Sequence, residues 1–455
     1  MSTNFLGISS LNPDAQRLSK YFVILSSLTQ ASFVFTDGYL ILFMFDTLDY
    51  KKAALLFAIQ LLLQGLIDFP TGVFADWIGH DKVMVLAYVF HGATFLLLGL
   101  FTVIDPPSAF YYLLIVVCLR SIAVAEESGV LQTWFDNNYK KIAQEDDPEN
   151  KIYGELIGKS FVITPILPLV SLIVAAFITG NYGRVRLFQL QFILIIPILL
   201  LIYRIMGQYK SVKVDFHTTK YGKMLKDGVM VMFRTKFMFF ITLSYLSILI
   251  FTNVWGSFFL FPIYYGYTAS DKSVNFLRAT IFITGIVMSI LASISSKKLE
   301  PKKWIPRVFV ITLFTWNVGY LVLFHYYPLP VVQSEASLNY TAIGFVILFG
   351  LTLNYFATVF LIIYQKLMLQ EIPDQNRNSF YSLLPTLGVL LSSLLYPFVG
   401  EFIDQTQNMQ EAFFWFLTLP LIFGGILAYV ARWSETGFSI KHKAIKTEEP
   451  VGVEI

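Results

Sequence analysis

One cysteine, Cys118, stands in the whole chain. A single thiol makes no internal disulfide and no thiolate metal centre. Its apolar setting, IVVCLR, reads as a small buried side chain. Histidine is scarce as well, and His91 and His325 sit in apolar runs without ligand-spaced partners, so no metal site is expected. Charge is the third shortage. Charged residues make up 14% of the chain, against about a quarter in a soluble domain, too few to dress a water-facing surface. The net charge of +3 is too small to point to nucleic acid. The sequence has no Gly-x-Ser-x-Gly elbow, no His-Glu-x-x-His, no phosphate-binding loop and no dinucleotide fingerprint. The expectation is therefore a protein that is not an enzyme and carries no cofactor. The polar start, MSTNFLGISSLNPDAQRLSK, lacks a short apolar core with a cleavage site. It predicts no cleaved signal peptide, leaving the first apolar helix to direct insertion.

What the chain has instead is apolar sequence. The hydrophobic fraction is 56% and the mean hydropathy +0.64. A bilayer core about 30 Å thick needs about 20 apolar residues per helix. Spans are predicted near 20–45, 53–75, 83–104, 110–135, 157–179, 186–206, 237–263, 274–296, 305–327, 340–365, 379–402 and 411–431. They are read as helices because lipid leaves an open backbone unsatisfied. The expectation is an all-α membrane protein of twelve helices. Lys and Arg gather at the N-terminus, in the even loops and in the tail, while the loops after spans nine and eleven have none. The positive-inside rule puts both termini in the cytoplasm of a cell membrane. Lys51, Lys52, Arg184 and Arg186 depart from this pattern in the first and fifth loops. The longest interior connection divides the chain into a six-helix half at 1–206, a basic cytoplasmic loop at 207–236, a second half at 237–433 and a tail at 434–455. Two six-helix bundles suit a transporter built from repeats.

Local motifs sharpen this. Gly72-Val73-Phe74-Ala75-Asp76-Trp77-Ile78-Gly79-His80-Asp81-Lys82 resembles the loop signature of the major facilitator superfamily, Gly-x-x-x-Asp-Arg-x-Gly-Arg-Arg. Gly72, Asp76 and Gly79 match, Trp77, His80 and Asp81 replace basic positions, and Lys82 falls one place late. Asp68-Phe69-Pro70-Thr71-Gly72 resembles the Glu-Ile-Pro-Thr-Gly of one bacterial branch. Ser128-Gly129-Val130-Leu131-Gln132-Thr133-Trp134 resembles that branch's Ser-Gly-Ala-x-Glu-Ala-Trp. Ile372-Pro373-Asp374-Gln375-Asn376-Arg377 and Gly400-Glu401-Phe402-Ile403-Asp404 are similar to the two ends of its span eleven. The resemblance implies alternating access, with Gly72, Asp76, Gly79, Lys82 and Arg377 holding one conformation of the cycle. It names no substrate. Span five lacks the glycine pattern of many drug–proton antiporters, which weakens a drug-efflux reading.

Ionisable groups at bilayer depth cost about 2.5–3.5 kcal/mol each and face cavities or partners. Asp37, Asp68, Arg120, Glu126 and Glu127 stand in the spans of the first half. Arg120 and Glu127 share a helix face, and Glu126 points about 100° away from Glu127. Ser27, Gln30 and Asp37 line one stripe and Gln60, Gln64 and Asp68 another. Arg120 also matches a span-four arginine that relatives link to proton handling or anion binding. The residues expected to line a cavity and carry protons are Asp37, Arg120, Glu127, Gln30, Gln64 and Glu126, with Asp37 and Glu127 as the proton carriers. Tyr245, Asn253, Trp255, Asn354 and Thr358 are the candidates in the second half. The expected function is a secondary transporter of a small solute, coupled to protons and acting as a monomer. The carboxylates counted against Arg120 favour a cationic, neutral or amphipathic solute over a strongly anionic one. An uncoupled facilitator and a non-transporting receptor or scaffold are the alternatives.

Overall fold

The computed structural model describes residues 3–101, 106–148, 151–209, 232–296, 298–331, 333–371 and 374–434, together with 226, 229 and 230. Among them, eleven helices are long and apolar enough to cross a bilayer, and the shorter Ile166–Tyr182 makes the twelfth span. No strand occurs among the described residues. The protein is a multi-pass, all-α membrane protein. Spans one to three are Pro13–Thr47, Tyr50–Ile78 and His80–Leu100. Span four runs Pro106–Glu127, breaks at Ser128–Gly129, and continues as Val130–Ile142. Span five is Lys151–Ile163 followed by Ile166–Tyr182, and span six is Arg184–Met206. Span seven runs Lys236–Val254 and Leu260–Thr268, joined by a π-helical turn at Trp255–Phe259. Span eight is Asp271–Ser296. Span nine covers Pro301–Thr312 and Val318–Tyr326 around a π turn at Leu313–Asn317. Spans ten and eleven are Tyr340–Glu371 and Asp374–Thr406. Span twelve joins Met409–Phe413 to Leu419–Trp433 through a π turn at Phe414–Thr418.

Helix starts follow local chemistry. Asn12 caps span one by accepting from the Ala15 N–H at 2.9 Å, with Pro13 at the first helical position. Asp49, Thr235 and Asn408 cap spans two, seven and twelve in the same way. The interruptions also have causes. Gly129 sits in the left-handed region at φ 69°, a conformation costly for residues with a Cβ. Span four is therefore longer than the predicted 110–135 and jointed near its middle. Span five breaks beside Pro165, whose ring cannot continue the helical hydrogen bonds. At the base of these two spans, burial would push the Asp147 carboxyl up. The Tyr153 and Ile152 N–H groups and the Tyr139 hydroxyl outweigh it and hold that group below the usual carboxylate range.

Span two packs along span eleven and span five along span eight, so the two sequence halves meet on two seams. One apolar core runs across the seams, from Phe43 and Ala54 in the first half to Val399 and Phe413 in the second. Within the second half, Trp255, Trp316, Tyr320 and Phe413 interlock at centroid distances of 4.9–6.3 Å. This cluster joins spans seven, nine and twelve and surrounds two of the π turns.

Candidate functional site

A cavity of about 300 Å³ lies between the halves. Spans one, two and four bring Asp37, Gln60 and Arg120 to it, and spans seven, eight and eleven bring Asn253, Ser257, Arg278 and Tyr396. Leu40, Ile41, Phe57, Leu61, Leu260 and Phe261 supply the apolar wall. The π turn of span seven matters here. The extra residue it takes per turn sets Gly256 and Ser257 on the cavity side, and such turns recur at functional sites.

Arg120 donates from Nη2 to Asp37 Oδ1 at 2.8 Å, and the arginine side chain is 8% exposed. Its Nε is buried and has no hydrogen-bond partner among the described residues. The Phe33 ring lies 5.8 Å from its guanidinium carbon, and Gln30, one turn earlier on that face, is exposed. Across the cavity stands Arg278, which the sequence reading missed. Its guanidinium carbon lies 4.6 Å from the Phe261 ring centre. Its nearest hydrogen-bond acceptor among the described residues is Asn275 Oδ1, at a long 3.4 Å. The signal that could have found it is the same one that found Asp37. An arginine in the apolar run NFLRATIF carries the same cost at bilayer depth.

The other expected residues are more scattered. Glu127 does not join Arg120. Seven helical residues separate the two by about 10 Å along the axis, and each finds a different neighbour. Glu127 Oε2 lies 2.9 Å from His91 Nε2, and the Tyr88 hydroxyl donates to Oε1 at 3.4 Å. His91 thus has a carboxylate partner that sequence spacing concealed, because the pair joins spans three and four. Glu126 is buried, and its Oε2 has no hydrogen-bond partner among the described residues. Gln64 is half-buried on span two and does not line the cavity. Asp68 accepts from the Ser128 side chain, so the Asp-Phe-Pro-Thr-Gly and Ser-Gly segments meet in space.

In the second half, Asn253 reaches the cavity and donates to Ser392 Oγ at 3.0 Å. Trp255 does not, because the aromatic cluster buries it. Tyr245 stacks on Tyr364 at 4.1 Å and faces a separate apolar pocket. Thr358 sits 3.3 Å from Ser289, and Asn354 packs against Gly285. Both hold span ten on span eight, away from the cavity. Among the loop-motif residues, Gly79 joins spans two and three at φ 111°, and its carbonyl accepts from the Lys82 N–H at 3.1 Å. The side chains of Asp76 and Arg377, and the surroundings of Gly72, lie outside the described residues. Among the described residues, no group of three or more His, Cys, Asp or Glu is placed to hold a metal.

One end of the cavity is shut by polar contacts between the halves. Arg184 grips both carboxylate oxygens of Asp271, from Nη2 at 2.8 Å and Nε at 2.9 Å, and its Nη1 reaches Asp46. The Tyr39 hydroxyl donates to the Asp271 carbonyl at 2.8 Å. On the other seam, Asp404 accepts from the Tyr50 and Lys51 N–H groups at 3.1 and 2.7 Å, and Lys51 pairs with Glu401 at 2.9 Å. The basic residues that broke the loop-charge pattern are therefore engaged at this end. Lys52 pairs with Asp49, and Arg186 donates to Gln189.

No family model and no curated protein matches the sequence. Solved structures do match in shape. A structure of an auto-inhibited POT family peptide transporter aligns with 96% of this chain and 99% of its own, at TM-score 0.66 and 11% identity. The nucleoside transporter NupG aligns over 92% of this chain and 98% of its own, at TM-score 0.61 and 15% identity. A D-xylose–proton symporter aligns over 91% and 96%, at TM-score 0.62 and 13% identity. Agreement over nearly the whole of both chains, with twelve spans and two seams around a charged cavity, gives this protein the twelve-helix fold of the major facilitator type.

Proposed function

We propose that this protein is a secondary transporter that moves a small solute by alternating access, coupled to protons. The observation that carries this reading is the cavity itself. Both sequence halves line it, it is charged, and separable polar contacts between the halves shut one end. Rocking the halves about the seams would break those contacts and expose the cavity to the other side. The loop charges support a reading in which the shut end faces outward. The neighbours in shape include a proton symporter and a peptide transporter, which supports the class of activity and leaves the solute open.

The proton site we assign is the Glu127–His91 pair. The pair sets a carboxylate against an imidazole at 2.9 Å, two groups that can share and pass on one proton. Spans three and four hold them, with the jointed turn at Gly129 two residues beyond Glu127. Asp37 is the less apt carrier, since its carboxylate is engaged by the Arg120 guanidinium at 2.8 Å.

Double electron–electron resonance tests this without knowing the solute. The single native cysteine is removed as Cys118→Ser, and spin labels are placed at Lys52→Cys and Gln405→Cys, two exposed positions flanking the shut end. Two distance populations are expected, with their ratio moving between about pH 5 and pH 8. Glu127→Gln should remove the pH response. One narrow, unchanging distance at every pH would refute alternating access.

A further inference from the structure

We propose that the solute is a small organic acid bound as its anion, with its carboxylate held between Arg120 and Arg278. This rests on the transporter reading and specifies the chemistry of its site. Counting charges on the cavity wall gives one carboxylate, Asp37, against two guanidiniums, Arg120 and Arg278. Asp37 hydrogen-bonds Arg120 and is close enough for its charge to act on Arg278 as well, so one carboxylate is shared by two guanidiniums. The direct contacts of Arg278 among the described residues are an aromatic face and one long amide contact. A guanidinium stays charged in a protein. With two such groups against one carboxylate, a net positive charge is left between membrane-spanning helices, which is unfavourable. One negative charge delivered by the solute restores the balance. A cationic solute would worsen it.

The geometry agrees with the charge count. Arginine forks match a carboxylate plane with parallel hydrogen bonds. Arg120 reaches the cavity from span four of the first half, and Arg278 from span eight of the second. An anion bridging them ties the halves together only while the cavity is closed around it, which is how binding energy would drive closure. The apolar residues Phe57, Leu61 and Leu260 offer a surface for the rest of the molecule, and the Gln60 side chain makes no hydrogen bond among the described residues. A volume of about 300 Å³ is at the small end of ligand pockets, which run to about 1,000 Å³.

The test is thermal unfolding of the detergent-purified full chain. The probes are the monocarboxylates from acetate to octanoate, together with benzoate. Each is compared with its own primary amide and the corresponding amine. Stabilisation by at least one acid, and by neither its amide nor its amine, is the expected result. In Arg278→Gln the apparent affinity for that acid should fall roughly tenfold or more, with Arg278→Lys intermediate. Asp37→Asn should tighten binding, because the side chain competing for Arg120 loses its charge. Stabilisation by amines, by no acid at all, or by acids equally well in Arg278→Gln overturns the proposal. The spin-label distances need no ligand, so they report the failure of alternating access separately.

Discussion

Single residues at this site are coupled by charge, so substitutions there should be unequal and partly rescuable. Arg120→Ala leaves Asp37 facing the cavity with its hydrogen-bonded partner gone. Removing one member of a buried pair costs about 3–5 kcal/mol. Part of that is recoverable if Arg278, across the same cavity, takes over. Thermal unfolding should therefore show Arg120→Ala alone less damaging than Arg120→Ala combined with Arg278→Ala and Asp37 retained. Equal losses would mean the two arginines do not share that carboxylate. Gly129 offers a contrast, a backbone effect with no packing component. No atom lies within 4 Å of the place its Cβ would occupy. Gly129→Ala should cost about 1–2 kcal/mol through the left-handed backbone alone, with Gly129→Asn milder. Asp147 gives the pH-dependent case. Its carboxyl is lowered in the folded chain, so its contribution is complete above the unfolded value of about 3.9 and fades as pH falls through the folded one. Proteolytic nicking between spans four and five should be pH-independent near neutrality and rise only in strong acid. Asp147→Asn should raise it at neutral pH.

At the scale of the helix, the spans were legible because bilayer thickness sets their length and hydropathy marks their extent. All twelve predicted runs overlap a helix. What periodicity could not supply was how the spans are interrupted. The joint in span four turns on one glycine, and the π turns in spans seven, nine and twelve carry no proline or glycine pattern that sets them apart. Site residues divided on the same line. Asp37 and Arg120 stood out because a charge in an apolar run is rare. The partnership of Glu127 with His91 needs the packing of two helices, which one helix's spacing does not contain. Trp255 and Thr358 were picked as polar or aromatic groups in spans, and each turned out to face a neighbouring helix. A prediction at this scale concerns span eleven. A Cβ at Gly400 would come within 2.3 Å of the Ala54 Cβ and 2.6 Å of the Tyr50 carbonyl oxygen. Gly400→Val should wedge spans two and eleven apart at the shut end. A cysteine at Lys52 should then label faster with a membrane-impermeant maleimide, and unchanged labelling would show that the seam does not depend on this approach.

For the whole molecule, the proposed transport cycle makes the shut end a latch, and its parts differ in strength. The Lys51–Glu401 pair is well exposed, with side chains 60% and 42% accessible, and exposed pairs contribute little. The Arg184–Asp271 pair is 10% and 17% accessible and doubly hydrogen-bonded. Arg184→Gln should therefore shift the spin-label distances at the shut end toward the longer population, while Lys51→Gln leaves them near the parent. A larger shift from Lys51→Gln would reverse this ranking. The aromatic cluster of Trp255, Trp316, Tyr320 and Phe413 should not take part, since it lies wholly within the second half.

The latch also has a history in time. Arg184 and Asp271 are 87 residues apart, and Tyr50 and Asp404 are 354 apart. At a ribosomal pace of about 5–20 residues per second, Arg184 waits on the order of ten seconds for its partner to be made, and the start of span two waits roughly half a minute. Through that interval Arg184 lacks the Asp271 carboxylate that it grips in the finished chain. Chains truncated before span eight should therefore be cut by added protease near Arg184 more readily than the full chain.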